Sequence, residues 1–290
     1  MNGSLPTASP SPLAGPAAWR WPPLLKASAA VHAGAALLAL TPGGWPWAAG
    51  AVLANHALLT GAGLWPRSQW LGPNVTRLPA ASAARGEIAI TIDDGPDPEV
   101  TPAALDLLDA AGARATFFCI ATRASAHAGL AREIVARGHD VQNHSHAHRH
   151  HFSLLGPRGF AAEIGHAQQV LADVTGRPAH CFRAPAGLRN PMLDPVLHRL
   201  NLHLVSWTRR GFDTREADPA RVLRRLTTKL VAGDILLLHD GNARRCASGK
   251  PVILEVLPAL LRRCNEAGLK AVTLEQVLPP RHAAPPRSQG

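Results

Sequence analysis

Thr91-Ile92-Asp93-Asp94-Gly95-Pro96 closes an apolar run that starts at Glu87, and His144-Ser145-His146-Ala147-His148 follows a second short run ending at Gln142. Adjacent carboxylates and two imidazoles at i and i+4 supply one Asp and two His. That donor set suits a divalent ion such as zinc and leaves a coordination position open for water. Asp94, His144 and His148 are the expected ligands. Asp93 is then free to act as a base on that water. The stretch predicts a metal-dependent hydrolase. The competing reading is a His-rich surface loop, because His146, His150 and His151 crowd the same segment. Either aspartate alone also suits a turn before Gly95-Pro96.

Working outward, short apolar runs alternate with helical patterns. Strands are expected at Glu87 to Ile92, Ala115 to Ile120, up to Gln142, Cys181 to Arg183, Leu202 to Trp207, Ile235 to Leu238 and Lys270 to Thr273. Helices are expected at Pro102 to Ala111, Ala126 to Arg137, Gly159 to Thr175, Pro191 to Leu200, Asp218 to Val231 and Val252 to Ala267. About seven β/α units imply a parallel sheet with helices outside, an α/β barrel whose reactive residues sit at the C-terminal strand ends. Asp93, His144, Arg183 and His239 all fall at such ends. The buried run Ile235 to Leu238 delivers His239, which suits a general acid for a leaving nitrogen; the bland alternative is a strand-end histidine capped by Asp240. Arg183 is placed to keep Asp93 ionised. Pro185 and Gly187 shape a turn whose N–H groups suit an oxyanion.

These motifs resemble the polysaccharide deacetylase family, the NodB homology domain or carbohydrate esterase family 4, over about residues 86–278. Four blocks carry the resemblance in order: Thr91 to Pro96, His144 to His148, Arg183-Ala184-Pro185-Ala186-Gly187 and Leu236-Leu237-Leu238-His239-Asp240. The resemblance implies a distorted (β/α) barrel and hydrolysis of an N-acyl group, in most cases acetyl, from an amino sugar, with Asp93 as base and His239 as acid. It implies a divalent metal, zinc first, with cobalt, nickel or manganese as alternatives. It also implies that the backbone N–H of Ala186 helps hold the oxyanion, with Pro185, Leu237 and Trp207 around the substrate. A further block, before the last, departs from the family. There a Trp is often followed by Asp at +3 and Asp-Trp at +6 and +7. Here Trp207 is followed by Arg210 and by Asp213-Thr214. Asp213 is kept and is placed to tune His239. Thr214 and Ala186 replace bulky aromatics and open the groove, which favours an altered substrate such as a lipid-linked sugar beside a chitooligosaccharide or peptidoglycan. Non-catalytic carbohydrate binding and a membrane assembly role are the alternatives from other classes.

The first 85 residues read differently. From Trp21 to Trp65 the chain is almost uncharged. Trp45 to Trp65 approaches the ~20 residues that cross a bilayer, and Trp at both ends suits the interface. Ala27 to Leu40 is shorter, and Thr41-Pro42-Gly43-Gly44 forms a turn. Residues 21–66 are therefore expected as an apolar transmembrane hairpin in the cell membrane, with a signal or anchor segment, or a pair of soluble core helices, as the alternatives; His32, Asn55 and His56 weigh against a lipid-facing surface. Arg20 and Lys26 before the pair and Arg67, Arg77 and Arg85 after it place both ends, and the barrel, on the cytoplasmic side; an exported or periplasmic protein is the alternative. Residues 67–85 read as a linker, 86–280 as the deacetylase-like domain, and 1–20 and 281–290 as disordered tails. Net charge is +10, from 30 Lys+Arg against 20 Asp+Glu. No dense basic run with interleaved aromatics occurs, which argues against a nucleic-acid partner. Substrate and membrane lipid are the expected partners. Cys119, Cys181, Cys246 and Cys264 form no CxxC pair, so a thiolate metal site is not expected.

Overall fold

The computed structural model describes residues 18–281. The tails expected over 1–20 and 281–290 lie outside the described residues but for 18–20 and 281. The elements run α1 (Pro23–Ala39), α2 (Trp45–Leu64), α3 (Ala80–Ala84), β1 (Glu87–Asp93), α4 (Thr101–Ala110), β2 (Ala115–Cys119), α5 (Ala121–Ala126), α6 (Ala128–Ala136), β3 (Asp140–Asn143), α7 (Pro157–Thr175), β4 (Cys181–Phe182), α8 (Leu193–Arg199), β5 (His203–Leu204), β6 (Arg209–Arg210), α9 (Pro219–Thr227), β7 (Ile235–His239), α10 (Val252–Glu266), β8 (Lys270–Ala271) and α11 (Leu274–Val277).

The strands pair in parallel in the order β5-β4-β3-β2-β1-β7-β6, with β8 beside the start of β1. This is the expected distorted barrel, open between β5 and β6. Period-two alternation decides what faces inward. In β1, Ile88, Ile90 and Ile92 join the large core shared with the helices, so Thr91 and Asp93 point the other way. In β7, Leu236 and Leu238 take the outer core. Leu237 enters a second, inner cluster with Phe118, Cys181, Val205 and Trp207. His239 follows Leu237 inward. Register sets Asp93 directly opposite His239. Cys119 and Cys181 are fully buried, as small core residues would be.

Three expectations are corrected. The helix read as Ala126 to Arg137 runs Ala128–Ala136, and a short helix that was not expected, α5, precedes it, separated at His127, whose φ of −121° and ψ of 48° are not helical. Residues 67–85 are more than a linker. Val75 bridges Val205, Arg77 bridges Asp234, and Leu78 is buried in the inner cluster, so this segment lines the open seam of the barrel.

The third concerns the N-terminus. A helical hairpin is present, but no helix among the described residues is long and apolar enough to cross a membrane. α1 has 17 residues, about 25 Å at ~1.5 Å per residue, short of a ~30 Å hydrocarbon core. α2 is long enough at 20 residues, but Asn55 and His56 interrupt its apolar run. Asn55 Nδ2 donates to Ser28 Oγ at 2.9 Å, and the His32 and His56 Nε2 atoms lie 3.3 Å apart, so these groups meet across the hairpin. Its base docks on the barrel. Arg189 N donates to Gly63 O at 3.2 Å, and a Cβ on Gly63 would lie 2.2 Å from Arg189 O. Only glycine allows that approach.

Candidate active site

Three strand ends and one loop build the site. Asp93 ends β1, and Arg183, one residue past β4, reaches it from across the barrel. Arg183 is fully buried. Its Nη1 donates to Asp93 Oδ1 at 2.6 Å and to Thr91 Oγ1 at 2.8 Å; its Nε and Nη2 donate to the Val205 and Ser206 carbonyls. The guanidinium also lies 4.0 Å from the centre of the Phe118 ring. Four hydrogen bonds and a ring fix it, so Asp93 has a permanent counter-charge with one oxygen left over.

Asp94 follows with φ of 76°. Ser145 (69°), His148 (49°) and Ala186 (54°) are also left-handed. Such backbone costs of order 1–3 kcal/mol per residue and gathers where a site dictates geometry. The His144 and His148 imidazoles converge from a loop rather than a helical turn. Asn143 Oδ1 accepts from Ser145 N, and Ser145 Oγ accepts from His148 N. The Ser145 and His146 carbonyls accept from Ala121 N and Thr122 N, so the loop also satisfies the start of α5.

Asp94, His144 and His148 offer one ligand atom each, all within 4.8 Å of one another. Asp94 Oδ1 lies 3.2 Å from His144 Nε2 and 3.4 Å from His148 Nε2. That oxygen is buried and has no hydrogen-bond partner. A buried orphan carboxylate oxygen facing two imidazole nitrogens is the arrangement a cation satisfies. His144 Nδ1 donates to the Arg183 carbonyl at 2.9 Å, which leaves Nε2 as a lone pair facing Asp94. Asp94 Oδ2 accepts from Asn242 Nδ2 at 2.8 Å.

The charges agree. Burial works to raise the Asp94 pKa, but the closeness of the His144, His239 and His148 imidazoles brings it below the usual carboxylate range. Burial and the neighbouring His144 lower His148, keeping it neutral as a ligand must be. Burial also works against a charged His239, but Asp213 outweighs it, with help from Asp93 and Asp94, and raises it to about 9. His239 Nδ1 donates to Asp213 Oδ1 at 2.9 Å, and its backbone N donates to Asp213 Oδ2 at 2.7 Å.

Residues 80–205 match the family described as polysaccharide deacetylase. A chitooligosaccharide deacetylase of Azorhizobium caulinodans is 33% identical over 161 residues, 54% of this chain and 75% of that protein. The chain belongs to the polysaccharide deacetylase family. Membership makes it a hydrolase of the sugar N-deacetylase class. A peptidoglycan-N-acetylglucosamine deacetylase of Bacillus cereus is 29% identical over 197 residues, 67% of this chain and 89% of that protein. Among solved structures, a family 4 carbohydrate esterase from Streptomyces lividans, in complex with acetate, superposes with a TM-score of 0.59 at 29% identity. The match covers 69% of this chain and 98% of that one.

The deacetylase barrel gathers Asp93, Asp94, His144, His148, Arg183, Asp213 and His239. Pro185, Ala186 and Gly187 form a single 3-10 turn next to Arg183, with the Ala186 side chain exposed. Trp207 and Leu237 are buried in the inner cluster, at 8% and 1% exposure, so they lie under the site rather than on its surface. Sequence reasoning missed Asn242 and Arg123, whose Nη1 ties the Asp94 and Gly241 carbonyls together at 2.7 and 3.0 Å. Asn242 stands three residues after His239, in the loop leaving that strand, and this was the one available signal. Arg123 had none. Of the crowded histidines, His146 pairs edge-on with His166, while His150 and His151 are exposed.

Proposed function

We propose that this chain hydrolyses the N-acetyl group of an amino sugar within a glycan, with a divalent metal, zinc first, held by Asp94, His144 and His148. The observation that carries the reading is the orphan Asp94 oxygen facing two imidazole nitrogens, one strand residue from an Arg-paired Asp93. A metal ion bound there would supply Lewis acidity, acidifying water and polarising the amide carbonyl. Asp93, paired with Arg183, accepts the proton of the attacking water. The Ala186 N–H meets the carbonyl oxygen as negative charge develops on it. His239, charged and oriented by Asp213, gives its proton to the departing sugar nitrogen. Acetate and a free amine are the products.

A lipid-linked sugar is favoured as substrate by a specific observation. An apolar cleft of about 710 Å³ separates the hairpin from the barrel, lined by Trp19, Trp21, Leu59, Leu154, Pro191 and Met192. Leu188, two residues from Ala186, is on its wall. The hairpin itself exposes Leu37 (69%), Leu40 (83%), Trp45 (69%), Trp47 (76%) and Leu53 (71%). A hairpin with Lys26 as its single charge, exposing so much apolar surface, suits insertion into the outer part of one leaflet rather than passage across it.

The test is acetate release from N-acetylated chitooligosaccharide by the zinc-loaded full chain, beside Asp93→Asn. The amide is nearly isosteric, so the variant should keep its zinc and lose roughly 100-fold or more in rate. A variant rate within about threefold of the parent would remove Asp93 from the role.

A further inference from the structure

A cation stands beside the proposed catalytic groups that none of their roles uses. Arg210 occupies the place three residues after Trp207. β6 pairs with β7 so that Arg210 lies opposite Leu237, two residues before His239. Its guanidinium carbon is 5.3 Å from the centre of the Trp207 ring and 5.1 Å from that of Phe212. Phe212 is held in a left-handed conformation (φ 62°) and carries Arg225 over its ring as well, at 5.6 Å. The next residue, Asp213, holds His239. The rings that flank Arg210 and the carboxylate that orients the acid therefore belong to one seven-residue segment, 207–213.

The chain neighbour Arg209 is committed to Asp234. Arg210 makes no ion pair among the described residues, and its Nε is buried without a hydrogen-bond partner. Burial pulls its pKa down, while the charges of Asp93, Asp213 and Asp94 hold it up, which places the guanidinium in the field of the proposed catalytic carboxylates. A partly desolvated guanidinium with an unsatisfied donor, gripped by two rings, is an unfilled fork for two oxygens.

We propose that Arg210 binds an oxyanion carried by the substrate, a phosphate ester or a carboxylate next to the N-acyl sugar, and so selects anionic over neutral amino sugars. The inference rests on the N-deacetylase reading for what the substrate does, but the binding it describes is measurable without turnover. In this role Arg210 determines specificity. It leaves Asp93 and His239 their chemistry.

The test uses the full chain loaded with zinc and three probes: neutral tri-N-acetylchitotriose, N-acetylglucosamine 1-phosphate and N-acetylmuramic acid. The expected result is that Arg210→Ala lowers the ratio of kcat/KM on an anionic probe to that on the neutral one by roughly tenfold or more, mainly through KM. Arg210→Lys, which keeps the charge and loses the fork, should recover part of the ratio and guards against a folding defect in the alanine variant. Preference between the phosphorylated sugar and the muramic acid identifies the source of the oxyanion. Calorimetry of N-acetylglucosamine 1-phosphate and N-acetylmuramic acid should show binding by the parent that weakens with salt and in Arg210→Ala. If the parent deacetylates chitotriose but neither binds nor discriminates the anionic sugars, or if the alanine variant leaves ratio and binding unchanged, the Arg210 assignment is overturned and the deacetylase reading stands. If no probe is deacetylated yet an anionic sugar binds in an Arg210-dependent way, the deacetylase reading fails and the Arg210 assignment stands.

Discussion

Asp213→Asn separates the acid from its orienting charge. The carboxylate accepts from both the ring and the backbone nitrogen of His239, at 2.9 and 2.7 Å. Burial lowers the imidazole pKa, but the Asp213 charge and hydrogen bond dominate and raise it to about 9. The amide keeps the shape and loses the charge, so the pKa should return to about 6.5 or lower. At about pH 8 the protonated fraction then falls from ~0.9 to ~0.03, and a step that needs the imidazolium slows roughly 30-fold. Below about pH 6 the two proteins should converge. Acetate release between about pH 5 and 10 reads this as an alkaline limb near 9 in the parent and near 6.5 or below in the variant. Stability follows the same sign. The folded pKa exceeds the unfolded one, so the contribution is full below about 6.5 and lost as pH rises through about 9. Moving between those values is worth about 3 kcal/mol for this nearly buried group. The variant should therefore melt lower than the parent at about pH 6, and the gap should close above about 9. Alkaline limbs at the same pH in both proteins would refute the pairing of acid and orienting charge.

Two further outcomes are expected. His148→Ala removes one of three ligands, so zinc measured by elemental analysis should fall well below one per chain, and acetate release should fall with it. Zinc unchanged in that variant would take His148 out of the site. The full chain should float with lipid vesicles through its hairpin and resist release by salt, because apolar area rather than charge holds it. A Trp45→Glu, Trp47→Glu double variant should stay in solution, and a parent that also stays there would leave the hairpin without a lipid role.

What was legible in the sequence follows from what local pattern can encode. Asp93 was placed because it closes the apolar run from Glu87 to Ile92, at the C-terminal end of a strand; which face it takes was settled only by the packing of the three isoleucines. His239 was placed in the same way, at the end of the run Ile235 to Leu238. The i, i+4 spacing of His144 and His148 gave the donor set but not its geometry, since a helix and a loop share that spacing. The loop is decided by contacts made far away in sequence, with Ala121, Thr122 and Glu163. Two-residue strands such as β6 carry no period to read, so Arg210 was visible as a charge and not as part of a strand. The seam segment around Val75 was invisible for the same reason: single bridges hold it, to Val205 and Asp234.

The N-terminal run shows the limit of reading composition as environment. Absence of charge over a long run predicts helices that avoid water, and it did predict the hairpin. It does not distinguish lipid from protein as the partner, because both are apolar. The deciding residues were the few polar ones. Asn55 and His56 would each be costly facing lipid, and their partners Ser28 and His32 lie one helix away, at a separation no local window compares. Gly63 adds the complementary case. A glycine near the end of an apolar helix reads as a weak helix former or a packing face for lipid-embedded helices. Here its missing Cβ lets the barrel carbonyl of Arg189 approach, which ties the hairpin to the same chain segment that follows Ala186. The proposed oxyanion turn and the apolar cleft are thus built on consecutive residues, 185–187 and 188–192. A substrate with a polar amino sugar and an apolar tail would find a surface for each on this one short stretch of chain.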